Sequence, residues 1–253
     1  MTGSDTGKNL THSIVHDLGT AIVTGQYTSE RPFPIESELC DTYQASRSVL
    51  REAVKMLTAK GMLAARRRRG TWVQPESAWN LLDPDILGWM LERKFSPQLL
   101  LQFTQVRMAI EPAAAALAAE VADDGQKAGI AQAIGRMRAA ERGKDDPLES
   151  DIAFHVAVLH ATGNPFYVQF TELITTALRI SIRLTNRYKG VRLASIPDHL
   201  AVANAIAAGK PERAAKAMRA LVQEVLSLVT AAHAAPRRAL PAAKRGATVR
   251  KTR

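Results

Sequence analysis

Apolar residues recur along this chain at two different periods, and the change of period divides it. Ile14, Leu18, Ile22 and Val23 are spaced to line one face of a helix, which Gly25, Gln26 and Tyr27 bring to an end. A short helix is predicted over Glu36–Tyr43, with Glu36, Glu38 and the Ser37 hydroxyl in its first turn, where negative charge suits the helix dipole. Gln44 and Ala45 turn the chain into a third helix from Ser46 to Lys60, whose inward stripe is Val49, Ala53, Val54 and Leu57. After Gly61, Met62–Ala65 and Gly70–Val73 read as two short strands joined by a basic tip, Arg66 to Arg69.

From Asp83 to Ala235 the pattern is helical throughout. Proline follows Asp83, Ser96, Asp146, Asn164 and Lys210 and marks helix starts. Its missing N–H is tolerated at the first helical position, and Asp, Ser or Asn before it can accept from the next turn's amides. Gly163 and Gly209 stand where helices should stop. Phe166, Phe170, Leu173, Ile174, Ala177 and Leu178 keep helical spacing, and no run keeps strand alternation. Pro112 falls inside the pattern Phe103–Val121, so that helix is expected to kink or break near Ile110 without dividing the domain.

The prediction is a mainly α protein: a small domain with a β-hairpin wing at residues 10–76, a linker at 77–84, an all-helical bundle at 85–235 and a disordered basic tail at 236–253. A length of 253 residues with 46% hydrophobic composition gives both domains a core. The net charge of +10 is concentrated in the tail, which holds seven Lys or Arg and no acid; residues 1–76 hold ten against eight, and 77–235 seventeen against sixteen. Such a tail has little to bury, and attracts phosphates without sequence preference. The longest apolar stretch, Pro112–Ala119, is far shorter than the roughly 18 residues that a membrane span needs. Cys40, the single cysteine, cannot make an intramolecular disulfide, and MTGSDTGKNLTH lacks the regions of a secretory signal, so a reducing, cytoplasmic setting is expected.

Helix, tight turn and helix over residues 36–60 is helix-turn-helix spacing. Arg47, Ser48, Arg51 and Lys55 fall on the outer side of the third helix or near its N-terminus. Arginine pairs with guanine O6 and N7 in a major groove, while Ser46 and the first-turn amides can hold a phosphate. The plainer alternative is a solvated face, with Arg51 paired to Glu52 and Lys55 exposed. The hairpin favours the first reading, because a wing with a basic tip can lie along the DNA backbone beside a recognition helix. Arg68 occupies a tip position where glycine is common in such wings.

In the second region Asp151 and His155 are four residues apart in a helix from Leu148 to Ala161, so a carboxylate and an imidazole share one face. That spacing suits a metal ion and equally a simple His–Asp hydrogen bond. His199, opening the stretch Asp198 to Ala208, can face the same cavity, and Arg107 can take a carboxylate in bidentate fashion. His160, five residues past His155, should point elsewhere.

Residues 10–76, above all PIESELCDTYQASRSVLREAVKMLTAKGML and RRRRGTWV, resemble the winged helix-turn-helix of the GntR family of bacterial transcription regulators. The resemblance implies operator DNA contacts by Ser46, Arg47, Ser48 and Arg51, and by Arg67, Arg68, Arg69 and Gly70 of the wing at the minor groove. Arg107, Asp151-Ile-Ala-Phe-His155, Gly163-Asn164-Pro165 and the stretch from His199 to Arg219 are similar to the ligand-binding FCD domain of the FadR subgroup, over about residues 85–235. In many members an Asp and three His bind a divalent ion, often zinc, beside a small carboxylate effector.

Carried over, the metal ligands are Asp151, His155 and His199, and the effector site adds Arg107. The place of the third histidine is Leu221, so the ion's other positions fall to water or effector oxygens; alternatively the same residues hydrogen-bond the effector with no ion. Trp79–Glu92 is similar to the linker and first bundle helix of the galactonate-operon repressor branch, although Trp79, Leu87 and Trp89 can equally serve to dock the domains. An aldonate would offer a carboxylate to Arg107 and hydroxyls to an ion or to Thr185 and Asn186.

The function expected is a homodimeric, effector-responsive repressor reading a pseudo-palindromic operator, and not an enzyme. A metal-dependent enzyme using Asp151, His155 and His199 is the alternative of a different class, but the sequence shows no general base beside them, no Gly-rich phosphate loop and no nucleophile elbow. A constitutive DNA-binding protein with an inert pocket is the third.

Overall fold

A computed structural model describes residues 3–28, 30–68, 70–93, 96–189 and 195–234. Arg69 and the expected tail at 236–253 lie outside the described residues, as do the side chains of Thr185 and Asn186. The order is α1 (Gly3–Val23), α2 (Glu36–Tyr43), α3 (Arg47–Ala59), β1 (Leu63–Arg66), β2 (Gly70–Val73), a single 3-10 turn (Glu76–Ala78) and then helices only. These are α4 (Pro84–Met90), α5 (Pro97–Val121), α6 (Asp124–Glu141), α7 (Pro147–Ala161), α8 (Pro165–Val168), α9 (Thr171–Lys189), α10 (Ile196–Ala207) and α11 (Pro211–Ala234). The mainly α class with one hairpin is as the sequence predicts.

Proline opens a helix at all five positions read from the sequence, and at four the preceding side chain caps it. Asp83, Ser96, Asp146 and Asn164 each accept from an amide two or three residues on. Gly163 (φ 60°) and Gly209 (φ 61°) take the left-handed conformation just past α7 and α10. Helix α6 starts without a proline, at a reciprocal cap between Asp123 and Gln126. Of the kink or break expected near Ile110, the break does not occur: α5 runs on through Pro112, which removes one backbone bond from an otherwise continuous helix.

Strands β1 and β2 pair antiparallel with Leu63 opposite Val73 and Arg66 opposite Gly70, and the chain turns at Arg67 and Arg68. Arg68 adopts φ 72°, the backbone a glycine would take more easily. In α3 the buried stripe is Leu50, Ala53 and Leu57, with Val49 and Val54 half-buried at its edges. The inward face is thus rotated towards Leu50 relative to the sequence reading.

Two large apolar clusters fill the molecule. One lies within the bundle, among α5, α6, α7, α9, α10 and α11. The other joins Ile14, Leu18 and Ile22 of α1 and Leu50 and Leu57 of α3 to Leu87 and Trp89 of α4, Phe103 of α5 and Leu173 of α9. The linker therefore does not interrupt the core. Lys60 at the end of α3 reaches both Asp83 (2.8 Å) and Asp85 (2.7 Å) at the start of α4, and Trp89 Nε1 donates to His16 Nδ1 of α1 at 2.9 Å. Gly19 leaves room for the Trp89 indole, where a Cβ would overlap the ring. No helix among the described residues is long and apolar enough to cross a membrane.

Candidate functional site

The N-terminal face presents its polar groups to solvent. Ser46 caps α3, accepting from Val49 N, and its hydroxyl lies 2.9 Å from that of Ser48. Ser46, Arg47, Ser48 and Arg51 are all exposed, as are Arg67, Arg68 and Gly70 of the wing. Arg51 pairs with Glu36 of α2 at 2.9 Å rather than with Glu52, which is taken by Lys55 at 3.3 Å. That ion pair ties the two helices of the helix-turn-helix through groups that both remain open to water.

Inside the bundle the structure brings Arg107 of α5, Asp151 and His155 of α7 and His199 of α10 together, all buried at 1–4% exposure. His160 is exposed and points away. Asp151 Oδ1 lies 2.9 Å from His199 Nε2 and 3.9 Å from His155 Nε2. One ligand atom from each of the three residues falls within 4.8 Å of the others, the single such group among the described residues. Phe154 walls this space, its ring edge-to-face with His155 and His199 at 5.5 and 4.8 Å. Leu221, in the place of the missing histidine, packs half-buried against the bundle core.

The sequence reading missed Glu111. It is fully buried one turn after Arg107, which grips it through Nε at 2.5 Å and through a second guanidinium nitrogen at 3.4 Å. Its other neighbour is His155 Nδ1, 2.6 Å from Oε2. Burial opposes ionisation of Glu111, but the Arg107 guanidinium and the His155 ring outweigh it and hold the carboxyl at about 2. Asp151 is likewise kept below its ordinary value: burial pushes it up, and the His199 ring and the surrounding positive groups pull it down further. The available signal was the four-residue spacing of Arg107 and Glu111, which normally indicates a surface pair.

Distance and direction disagree at the centre of this cluster. Asp151 Oδ1 and both Nε2 atoms are buried with no aligned hydrogen bond, despite the 2.9 Å separation of one pair. His199 Nδ1 faces the Ser195 carbonyl at 2.7 Å, which can only accept, so that nitrogen carries the proton and Nε2 of the neutral ring is a bare lone pair. A lone pair near a carboxylate oxygen at such range is repulsive, and either a second proton on the ring or a cation between the two relieves it. One carboxylate and two imidazoles suit a divalent ion of zinc type, with further positions left for small oxygen ligands.

A winged helix-turn-helix fused to a helical bundle with a buried polar centre is the architecture of a DNA-binding regulator. Residues 10–73 match the model of bacterial regulatory proteins of the gntR family, and residues 102–224 match the FCD domain. The chain is 39% identical over 171 residues to the galactonate operon transcriptional repressor of Escherichia coli (strain K12), covering 68% of this chain and 75% of that protein. It is 33% identical over 218 residues to the HTH-type transcriptional regulator YieP of the same organism, covering 85% and 94%. The solved structure of Lar, which controls expression of the Listeria monocytogenes agr system, shares the fold at a TM-score of 0.58 and 17% identity, over 87% of this chain and 96% of that one. This protein belongs to the GntR family of transcription regulators, in its FadR-type, FCD-containing group.

Proposed function

We propose that this protein is a repressor that leaves its operator when a small hydroxy carboxylate of the sugar-acid class, such as an aldonate, enters the bundle and completes the coordination of a divalent ion held by Asp151, His155 and His199. The observation that carries this reading is the convergence of three buried ligand atoms without aligned hydrogen bonds. The relative that represses a galactonate operon supports the effector class. Arg107 is already engaged by Glu111, so an effector carboxylate that reaches it must share or displace that partner.

The protein acts in the cytoplasm as a homodimer on double-stranded operator DNA. Residues 10–76 read DNA, 77–84 link, and 85–235 sense the effector. Ser46, Arg47, Ser48 and Arg51 serve the major groove, and Arg67, Arg68, Arg69 and Gly70 the minor groove. The test is fluorescence anisotropy of the full chain on DNA from its own upstream region, titrated with aldonates with and without a chelator. Release by an aldonate that chelation abolishes is expected. Release that survives chelation would replace the ion with direct hydrogen bonds, and no release by any aldonate would remove the effector class.

A further inference from the structure

We propose that Glu111, pinned by Arg107, is a positioning residue that fixes which nitrogen of His155 faces the ion. This deepens the reading above and rests on Asp151, His155 and His199 being ion ligands.

Both oxygens of Glu111 are committed on its own helix, Oε1 to Arg107 Nε at 2.5 Å and Oε2 to a second guanidinium nitrogen at 3.4 Å. Oε2 is thereby held 2.6 Å from His155 Nδ1. The N–H direction there is off the ideal line, but the distance favours the tautomer with its proton on Nδ1. A carboxylate oxygen and an unprotonated ring nitrogen at that range would press two electron-rich atoms together, even off the axis of the lone pair. A proton on Nδ1 turns the contact attractive. The lone pair of the neutral ring is then on Nε2, the atom turned towards Asp151.

His199 follows the same logic with a different acceptor, its Nδ1 meeting the Ser195 carbonyl at 2.7 Å. A backbone carbonyl fixes one ring and a charged carboxylate the other, and the carboxylate makes its ring the more basic ligand. Arg107 then acts on the ion through Glu111 and His155, with no need to touch the effector.

The test uses full-length protein, zinc as the probe and 15N-histidine NMR of the metal-free form. Wild type should show His155 as the Nδ1–H tautomer and bind zinc. Arg107→Met/Glu111→Leu removes both buried charges together, so neither is stranded. It should lose the tautomer preference and bind zinc roughly 10- to 100-fold more weakly. Glu111→Gln keeps an acceptor oxygen and should retain most of both, at a cost in stability because Arg107 loses its counter-charge. An Nε2–H tautomer in metal-free wild type overturns the proposal without recourse to any variant. So does zinc affinity unchanged in the double variant. A wild type that binds no zinc instead defeats the ion reading, whatever its tautomer.

Discussion

Arg107 and Glu111 form a charge pair removed from water, with side chains about 2% exposed. Such a pair is worth little net of desolvation, but losing one member strands the other. Arg107→Met alone should therefore destabilise the fold by about 3–5 kcal/mol in denaturant titrations at neutral pH, whereas Arg107→Met/Glu111→Leu should lose much less. Because Glu111 is depressed from 4.5 to about 2 in the folded protein, its stabilisation is complete above its unfolded value and drains away as pH falls through that window. Acid unfolding of the double variant should show less of this loss than wild type. Asp151, His155 and His199 were legible as a set through the family resemblance, since the Asp–His spacing alone suits a plain hydrogen bond equally well. Glu111 was not, since a spacing of four residues gives the same pattern on a surface helix as on a buried one. Its burial depends on which face α5 turns towards α7, and the alanine-rich stretch after Pro112 does not mark that face.

The caps and turns at the helix ends were the most readable elements, because a proline or glycine there acts through the backbone alone. The phase of α3 was less so: Val49 and Leu50, sequence neighbours pointing about 100° apart around the helix, compete for the interior, and packing against the rest of the domain, α1 above all, chooses Leu50. Two predictions belong at this level. Arg51→Ala removes an exposed ion pair with Glu36, and exposed pairs are worth little, so the melting temperature should scarcely move. Specific operator affinity should still fall by about 1–3 kcal/mol in anisotropy titrations, with effector binding intact. A parallel loss of effector binding would contradict the division of labour between the two regions. Arg68→Gly should relieve the roughly 1–2 kcal/mol that a left-handed backbone costs an L-residue. The same substitution should weaken DNA binding in a salt-dependent way, since one phosphate-neutralising charge is lost.

The whole molecule confines its polar centre, since Arg107, Glu111, Asp151, His155 and His199 are all below 5% exposed. On the proposed function, an effector must wait for the bundle to open, and stopped-flow association should fall below the 10⁵–10⁷ M⁻¹s⁻¹ usual for accessible sites and saturate with concentration. A linear rise to those values would mean an open entrance. Helix α4 carries the most specific contacts between the two regions, with Trp89 fitted against Gly19 and bonded to His16. Gly19→Ala should push the indole aside and cost about 1–3 kcal/mol, with operator release needing more effector if α4 transmits the signal.

The apolar cluster shared by α1, α3, α4, α5 and α9 also bears on modularity. Although composition changes sharply near residues 77–84, the DNA-reading part borrows Leu87, Trp89, Phe103 and Leu173 from beyond that point to finish its own interior. A graft of residues 10–76 onto an unrelated sensor would inherit the recognition helix and leave it on an incomplete foundation. The smallest transplantable unit includes α4 and a substitute for the faces of α5 and α9. In the intact chain the two parts should melt together in one calorimetric transition.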